Sequence, residues 1–90
     1  MSNVVGNPEE LERFALNLKE FNRQLRESMS RLHGQFVQLG DTWRDQEHQK
    51  FAQEFEQTMR LLHNFTQTAD AHIPFLQRKA QKLYEFLNQR

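Results

Sequence analysis

Leu39-Gly40-Asp41-Thr42-Trp43-Arg44-Asp45 separates two long apolar stripes, and the reading of this break decides the fold. Before it, leucine recurs every seventh residue at Leu11, Leu18, Leu25, Leu32 and Leu39. After it, Phe55, Leu62, Ala69, Leu76 and Leu83 keep the same step. Seven residues make two helical turns, so each series falls on one face of an amphipathic helix. A connection this short forces the two helices antiparallel. The spacing therefore predicts an all-α hairpin with tryptophan in its turn.

Local signals set the boundaries. Asn7-Pro8-Glu9-Glu10 starts a helix in the expected order: an Asn N-cap, proline at the first helical position and carboxylates at the positive end of the dipole. The first stripe runs through Leu11, Phe14, Leu18, Phe21, Leu25, Met29, Leu32, Phe36 and Leu39. Gly34 weakens the last turns by roughly 1 kcal/mol or permits close helix approach. Gly40 suits a C-terminal cap with positive φ. Asp45 is the favoured N-cap of the second helix, with Thr42 competing through a capping box to Asp45.

The second stripe contains Phe51, Phe55, Met59, Leu62, Phe65, Ala69, Ile73, Leu76, Ala80, Leu83 and Leu87. Pro74 interrupts it but leaves the apolar period in phase, which predicts a kink; a separate helix from about residue 74 is the alternative. Residues 1–6 read as a disordered lead and 7–90 as one helical domain. Within it, helix 1 spans about 8–39, the turn 40–45 and helix 2 about 46–89. Ser28, between Leu25 and Leu32, reads as a small core residue allowing close contact.

Two helices cannot cover stripes this wide. Phe14, Phe21, Phe36, Phe51, Phe55, Phe65 and Phe75 carry more aromatic surface than one helix pair can bury. Dimerisation into a four-helix bundle is the usual remedy. The chain thus asks for a partner, and interaction is the expected function.

Composition removes other classes. Twelve Lys and Arg balance twelve Asp and Glu, whereas nucleic-acid binding needs a clustered basic surface. Residues 1–10 hold no Lys or Arg, so no basic region leads into the leucine heptads. Cysteine is absent, which excludes disulfides, thiolate metal sites and cysteine nucleophiles. No apolar run approaches the ~18 residues needed to span a bilayer, and no stable membrane insertion is expected. Met1-Ser2-Asn3-Val4-Val5-Gly6 has neither the basic nor the apolar region of a secretory signal peptide.

A bundle metal site wants Glu and Glu-x-x-His on inward faces. The one acid-x-x-His is Asp45-Gln46-Glu47-His48, at the hairpin tip. His63 and His72 lie nine residues apart, on opposite sides of a helix, and His33 stands at the stripe's edge. His72, beside Ile73, is the histidine to test for burial. Ser2, Ser28 and Ser30 have no histidine–acid arrangement nearby. The expectation is a protein without catalytic residues, metal or cofactor.

Trp43, the single tryptophan, sits in the connection, where its indole either plugs the bundle end or serves as a recognition element. Here the chain resembles a known family. A hairpin of this length with a turn Trp43-Arg44-Asp45, the aromatic Phe51 eight residues on and the opening Asn7-Pro8-Glu9-Glu10-Leu11 is similar to the WXG family of small helical secretion proteins. The resemblance covers residues 7–90. Asp45 stands where that family has glycine, and Asn88 stands four residues after Tyr84, where the family often carries an acid.

The resemblance implies a homodimer, or a heterodimer with a paralogous hairpin. It also implies a link to type VII secretion as exported substrate or as carrier, with a secretion ATPase or a larger cargo protein as further partners. Folding in the cytoplasm and export without a signal peptide would follow. It places Gly40, Trp43, Arg44 and Asp45 of one subunit near the Tyr84 region of the other. A helical scaffold that is never exported is the alternative.

Overall fold

The computed structural model describes residues 6–88. Helix α1 spans Pro8–Leu39 and helix α2 spans Gln46–Leu87, packed as an antiparallel hairpin. Among the described residues there is no strand. The molecule measures 70 × 21 × 19 Å, with a radius of gyration of 20.2 Å; a compact domain of this length would have about 12 Å. Apart from Gly6, the expected lead over residues 1–6 lies outside the described residues, as does position 89 at the expected end of helix 2. Asn88 caps α2.

Each helix start is built from its own side chain. Asn7 is extended, and its Oδ1 accepts from the amides of Glu9 and Glu10 at 2.9 and 3.2 Å. Asp45, also extended, accepts from the His48 amide at 3.0 Å; Thr42 does not cap α2. Pro74 sits inside α2, which continues through it to Leu87, so no separate third helix forms.

Gly40 corrects one expectation: it caps α1 at φ −64°, in the right-handed region. The helix ends instead through short turns, in which the Asp41, Thr42 and Trp43 amides take the Gln38 and Leu39 carbonyls, and Arg44 Nε donates to the Gly40 carbonyl at 2.9 Å. What glycine supplies is room. A Cβ there would lie 3.3 Å from the Val37 carbonyl and 3.8 Å from the His48 ring. Gly34 has open space around it, so close helix approach is not its role.

The seam between the helices is narrower than the apolar stripes. Ala15, Asn22, Thr66, Ala69, Ile73, Ala80 and Leu83 are buried, while Leu11, Leu18, Leu25, Met29, Phe36, Phe55, Met59, Leu62 and Leu76 are half-buried. Small residues hold the inmost positions and the large ones flank them. Met29, not Ser28, takes the place between Leu25 and Leu32; Ser28 is exposed.

A polar layer crosses this seam at mid-length. Asn22 is 1% exposed, and its Nδ2 donates to the Thr66 carbonyl at 3.1 Å and to Asp70 Oδ1 at 3.0 Å. Thr66 Oγ1 donates to the His63 carbonyl at 2.7 Å, and Arg26 pairs with the other Asp70 oxygen. Asn22 Oδ1 is buried and accepts no hydrogen bond. Buried polar groups that find partners in only one alignment serve to set register.

Hydrogen bonds from Arg26 and then Asn22 hold the Asp70 carboxyl below its ordinary value. A carboxylate depressed in the folded state stabilises above its unfolded value and loses that contribution as pH falls through the folded one. Unfolding midpoints should therefore drop below about pH 4. Asp70→Asn should flatten that part of the acid profile in thermal melts, and an unchanged profile would show that the contact contributes nothing.

Candidate functional site

The heptad register gives the hairpin two unlike sides. On one, Glu12, Lys19, Arg26 and His33 follow each other every seven residues along α1, facing Glu56, His63, Asp70, Gln77 and Tyr84 along α2. Two cross-helix contacts lie there: Arg26 with Asp70, and Tyr84 Oη donating to Glu12 Oε1 at 3.1 Å. Arg23 is held between Glu20 and Glu27 on the same polar flank.

The opposite side is aromatic. Phe14 and Phe21 stand out from α1, and Phe51 and Phe65 from α2, all of them exposed. Phe21 and Phe65 meet edge to face across the seam at 6.1 Å and 86°. Beside them Phe14, Leu18, Phe65, Ala69, His72 and Leu76 line an open apolar groove of about 370 Å³. Leu61 and Phe75 extend this surface along α2 at 70% and 57% exposure.

The exposed area has a scale. The accessible surface is 7469 Å², against about 5,600 Å² for a compact monomer of 10.9 kDa. The excess of about 1,900 Å² is more than twice the ~800 Å² that each partner contributes to a standard protein–protein interface, and falls in the range of large obligate ones.

The tip is a separate structure. Phe36 stacks on His48 at 5.5 Å and 7° and on Phe55 at 4.6 Å. Trp43 meets the His48 ring edge to face at 5.0 Å and tilts over Phe51 at 6.0 Å. Trp43 is half-buried, so it both closes the tip and keeps one surface to solvent. Asp45 stands in the family's glycine position without strain because an N-cap there needs only negative φ, and Asp45 has φ −89°.

The expected site residues thus divide between two places. Gly40, Trp43, Arg44 and Asp45 come together at the tip; Tyr84 lies at the far end of the hairpin, half-buried against Glu12. Partial burial and then the Glu12 carboxylate hold the Tyr84 phenol above its ordinary value. Of the expected stripe, Leu11, Leu18, Leu25, Phe36, Phe55, Leu62, Ile73, Leu76 and Leu83 turn toward the seam or tip, while Phe14, Phe21, Leu32, Leu39, Phe51 and Phe65 are exposed.

Sequence reasoning missed three contributors: Asn22, Thr66 and His48. Asn22 lies in phase with Leu18 and Leu25, and Thr66 with Leu62 and Ala69; their phase was the available signal, but a hydrophobicity count discards both. His48 had the tip's only acid-x-x-His spacing, yet its ring packs among aromatics with Nε2 buried. His33, His63 and His72 are all exposed. Among the described residues no group of three or more His, Asp or Glu could hold a metal ion, and no helix is long and apolar enough to cross a membrane.

The sequence pattern described as "Proteins of 100 residues with WXG" (WXG100) matches residues 4–86. Among solved structures, the chain is similar to the secreted protein EsxB from Bacillus anthracis str. Sterne. The selenomethionine-labelled form is 28% identical, with a TM-score of 0.76 over 98% of this chain and 100% of that one. The wild-type form in space group P21 is 29% identical, with a TM-score of 0.75 over 91% of this chain and 88% of that one. A proline-to-alanine variant is 28% identical, with a TM-score of 0.79 over 94% and 96%. Comparison with curated protein sequences found no significant match.

Proposed function

Because the chain belongs to the WXG100 family, we propose that it is a non-enzymatic pairing protein of the type VII secretion route, acting as substrate or as carrier. The observation that carries this reading is the uncovered aromatic side. Phe14, Phe21 and Phe65 cluster around one apolar groove, with Phe75 exposed farther along α2, on a molecule whose opposite side is charged and internally paired. That division of labour fits a hairpin that buries one side against a second hairpin and keeps the other in water. The similarity to EsxB, a secreted protein, supports export.

The tip supplies the docking element. Trp43, held by His48 and Phe51 and left half-exposed, presents a rigid aromatic edge of the kind that anchors interfaces. In an antiparallel pair of hairpins it lies beside the partner's Tyr84 region, so the two sites that are far apart in one chain become one. A secretion ATPase or a larger cargo protein is the further partner this composite surface fits.

The test follows the protein in culture. Trp43→Ala should keep its helix content and its pairing and disappear from the supernatant while accumulating in cells. One observation favours a second reading: Asn88 stands four residues after Tyr84 in place of an acid. A wild-type chain that pairs normally yet never reaches the supernatant alone or with a partner would establish the non-exported scaffold.

A further inference from the structure

The charged side of the hairpin holds a second groove, of about 450 Å³, lined by Met29 and His33 of α1 and by Met59 and His63 of α2. Each helix supplies the same short pattern. Met29-Ser30-Arg31-Leu32-His33 and Met59-Arg60-Leu61-Leu62-His63 both read Met-x-x-Leu-His. A spacing of four places methionine and histidine on one helix face, about one turn apart.

Register brings the two patterns face to face. Asn22 meets Thr66 in the seam, and Arg26 meets Asp70 on its charged flank. One heptad toward the tip adds seven on α1 and subtracts seven on α2, about 10 Å along each axis. That step turns Asn22–Thr66 into Met29–Met59, and Arg26–Asp70 into His33–His63. Glu12–Tyr84 lies two heptads the other way from Arg26–Asp70 and is also a direct contact, so the flank keeps this register along its length. Burial follows the same order: Met29 and Met59 are half-buried in the seam, and His33 and His63 are exposed beside it.

Side-chain direction favours convergence. Long side chains on a helix lean toward its N-terminus. His33 therefore leans over Met29, and His63, on the antiparallel helix, leans over Met59. Two sulfurs make the floor of the groove, and two imidazoles close on it from opposite ends. Arg26 and Tyr84 are long enough to reach across this flank directly. Imidazoles are shorter, and an ion between them, with a bond of about 2 Å on each side, supplies the missing length. Methionines alone would be ordinary seam filler; a histidine over each of them makes a donor set.

We propose that Met29, His33, Met59 and His63 form a binding site for one soft metal ion, copper(I). The donors select the ion. Thioethers favour copper(I), imidazole suits copper as well, and hard cations require oxygen. Zinc sites use thiolate, imidazole and carboxylate, and among the described residues no group of three or more His, Asp or Glu could hold an ion. Sulfur is what completes this set. All four donors are uncharged and Arg60 lines the same groove, so a singly charged ion is repelled less than a doubly charged one. The site lies on the side away from the exposed phenylalanines, and it goes beyond the secretion reading without depending on it.

The full chain, titrated anaerobically with copper(I) against the chromogenic chelator bicinchoninate, should take up one ion per chain. Met29→Leu, Met59→Leu, His33→Gln and His63→Gln should each lower the affinity at least tenfold, since loss even of an outer-shell partner costs roughly 10–100-fold. His72→Gln, in the apolar groove, should leave it unchanged. Leucine keeps methionine's approximate volume and both histidines are exposed, so circular dichroism should show an unchanged hairpin in every variant. X-ray absorption at the copper edge should show both sulfur and nitrogen neighbours. Zinc(II) should bind more weakly than copper(I) and be indifferent to the two methionine substitutions.

Copper(I) uptake that survives the combined Met29→Leu and Met59→Leu change overturns the thioether set. Zinc(II) held more tightly than copper(I) through the two histidines overturns the choice of ion. A wild-type chain that takes up no more copper(I) than the variant lacking all four donors removes the site.

Discussion

Asn22→Asp is expected to be the most damaging single substitution in the hairpin, lowering stability by about 3 kcal/mol or more at neutral pH. The side chain is 1% exposed, so a carboxylate there would be charged in the seam. It would lose the Nδ2 donor that now serves the Thr66 carbonyl and Asp70, and would set a second negative charge beside Asp70. Burial and like charge both raise the new carboxyl's pKa. The deficit against wild type should therefore narrow as pH falls toward 4 and the group takes up its proton. Chemical denaturation at two pH values checks this, and a constant deficit would place the damage in packing.

The companion substitution separates charge from polarity. Asn22→Ala removes both the buried acceptor that receives no hydrogen bond and the donor to the Thr66 carbonyl and Asp70 without adding a charge, and its small side chain suits the line of helix contact, so stability should fall by no more than about 1 kcal/mol. What it should lose is uniqueness. Without a polar layer the seam can slide by a turn, visible as extra or broadened amide resonances.

Phe36→Ala carries the second large effect, about 2–3 kcal/mol. Its ring is the hub of the tip, touching His48, Phe51 and Phe55 at 5.5, 5.7 and 4.6 Å. Removing it takes away the surface on which His48 stacks, and His48 is what Trp43 packs against. The loss should be local to one end: Trp43 emission should shift to the red well before helix content falls on heating. A single coincident transition at both probes would mean that the tip does not open separately.

The hairpin was legible because its evidence is periodic. Leucines every seven residues on one side of Gly40-Asp41-Thr42-Trp43-Arg44-Asp45 and an equivalent series on the other allow little but two helices and a reversal. The caps were equally local. Asn7 and Asp45 act on amides two or three residues away, a distance that sequence spacing specifies. The tryptophan turn and its resemblance rested on adjacent residues for the same reason.

The candidate site was legible only in its ingredients. Counting apolar residues put Phe14 and Phe21 in one stripe with Leu18 and Leu25, yet the first two stand exposed and the last two face the other helix. The stripe is wider than one helix contact, and periodicity cannot say which edge turns inward.

By itself the sequence determined two amphipathic helices, their capping residues, the antiparallel reversal at Trp43 and more apolar surface than one hairpin can bury. Tertiary structure alone decided which part of that surface stays outside. Helices that approach closely accept small side chains on the line of contact, so Ala15, Asn22, Thr66, Ala69 and Ala80 take it, and the phenylalanines are displaced to one flank. That choice depends on which residue of one helix lies level with which residue of the other. No local pattern within either helix contains it.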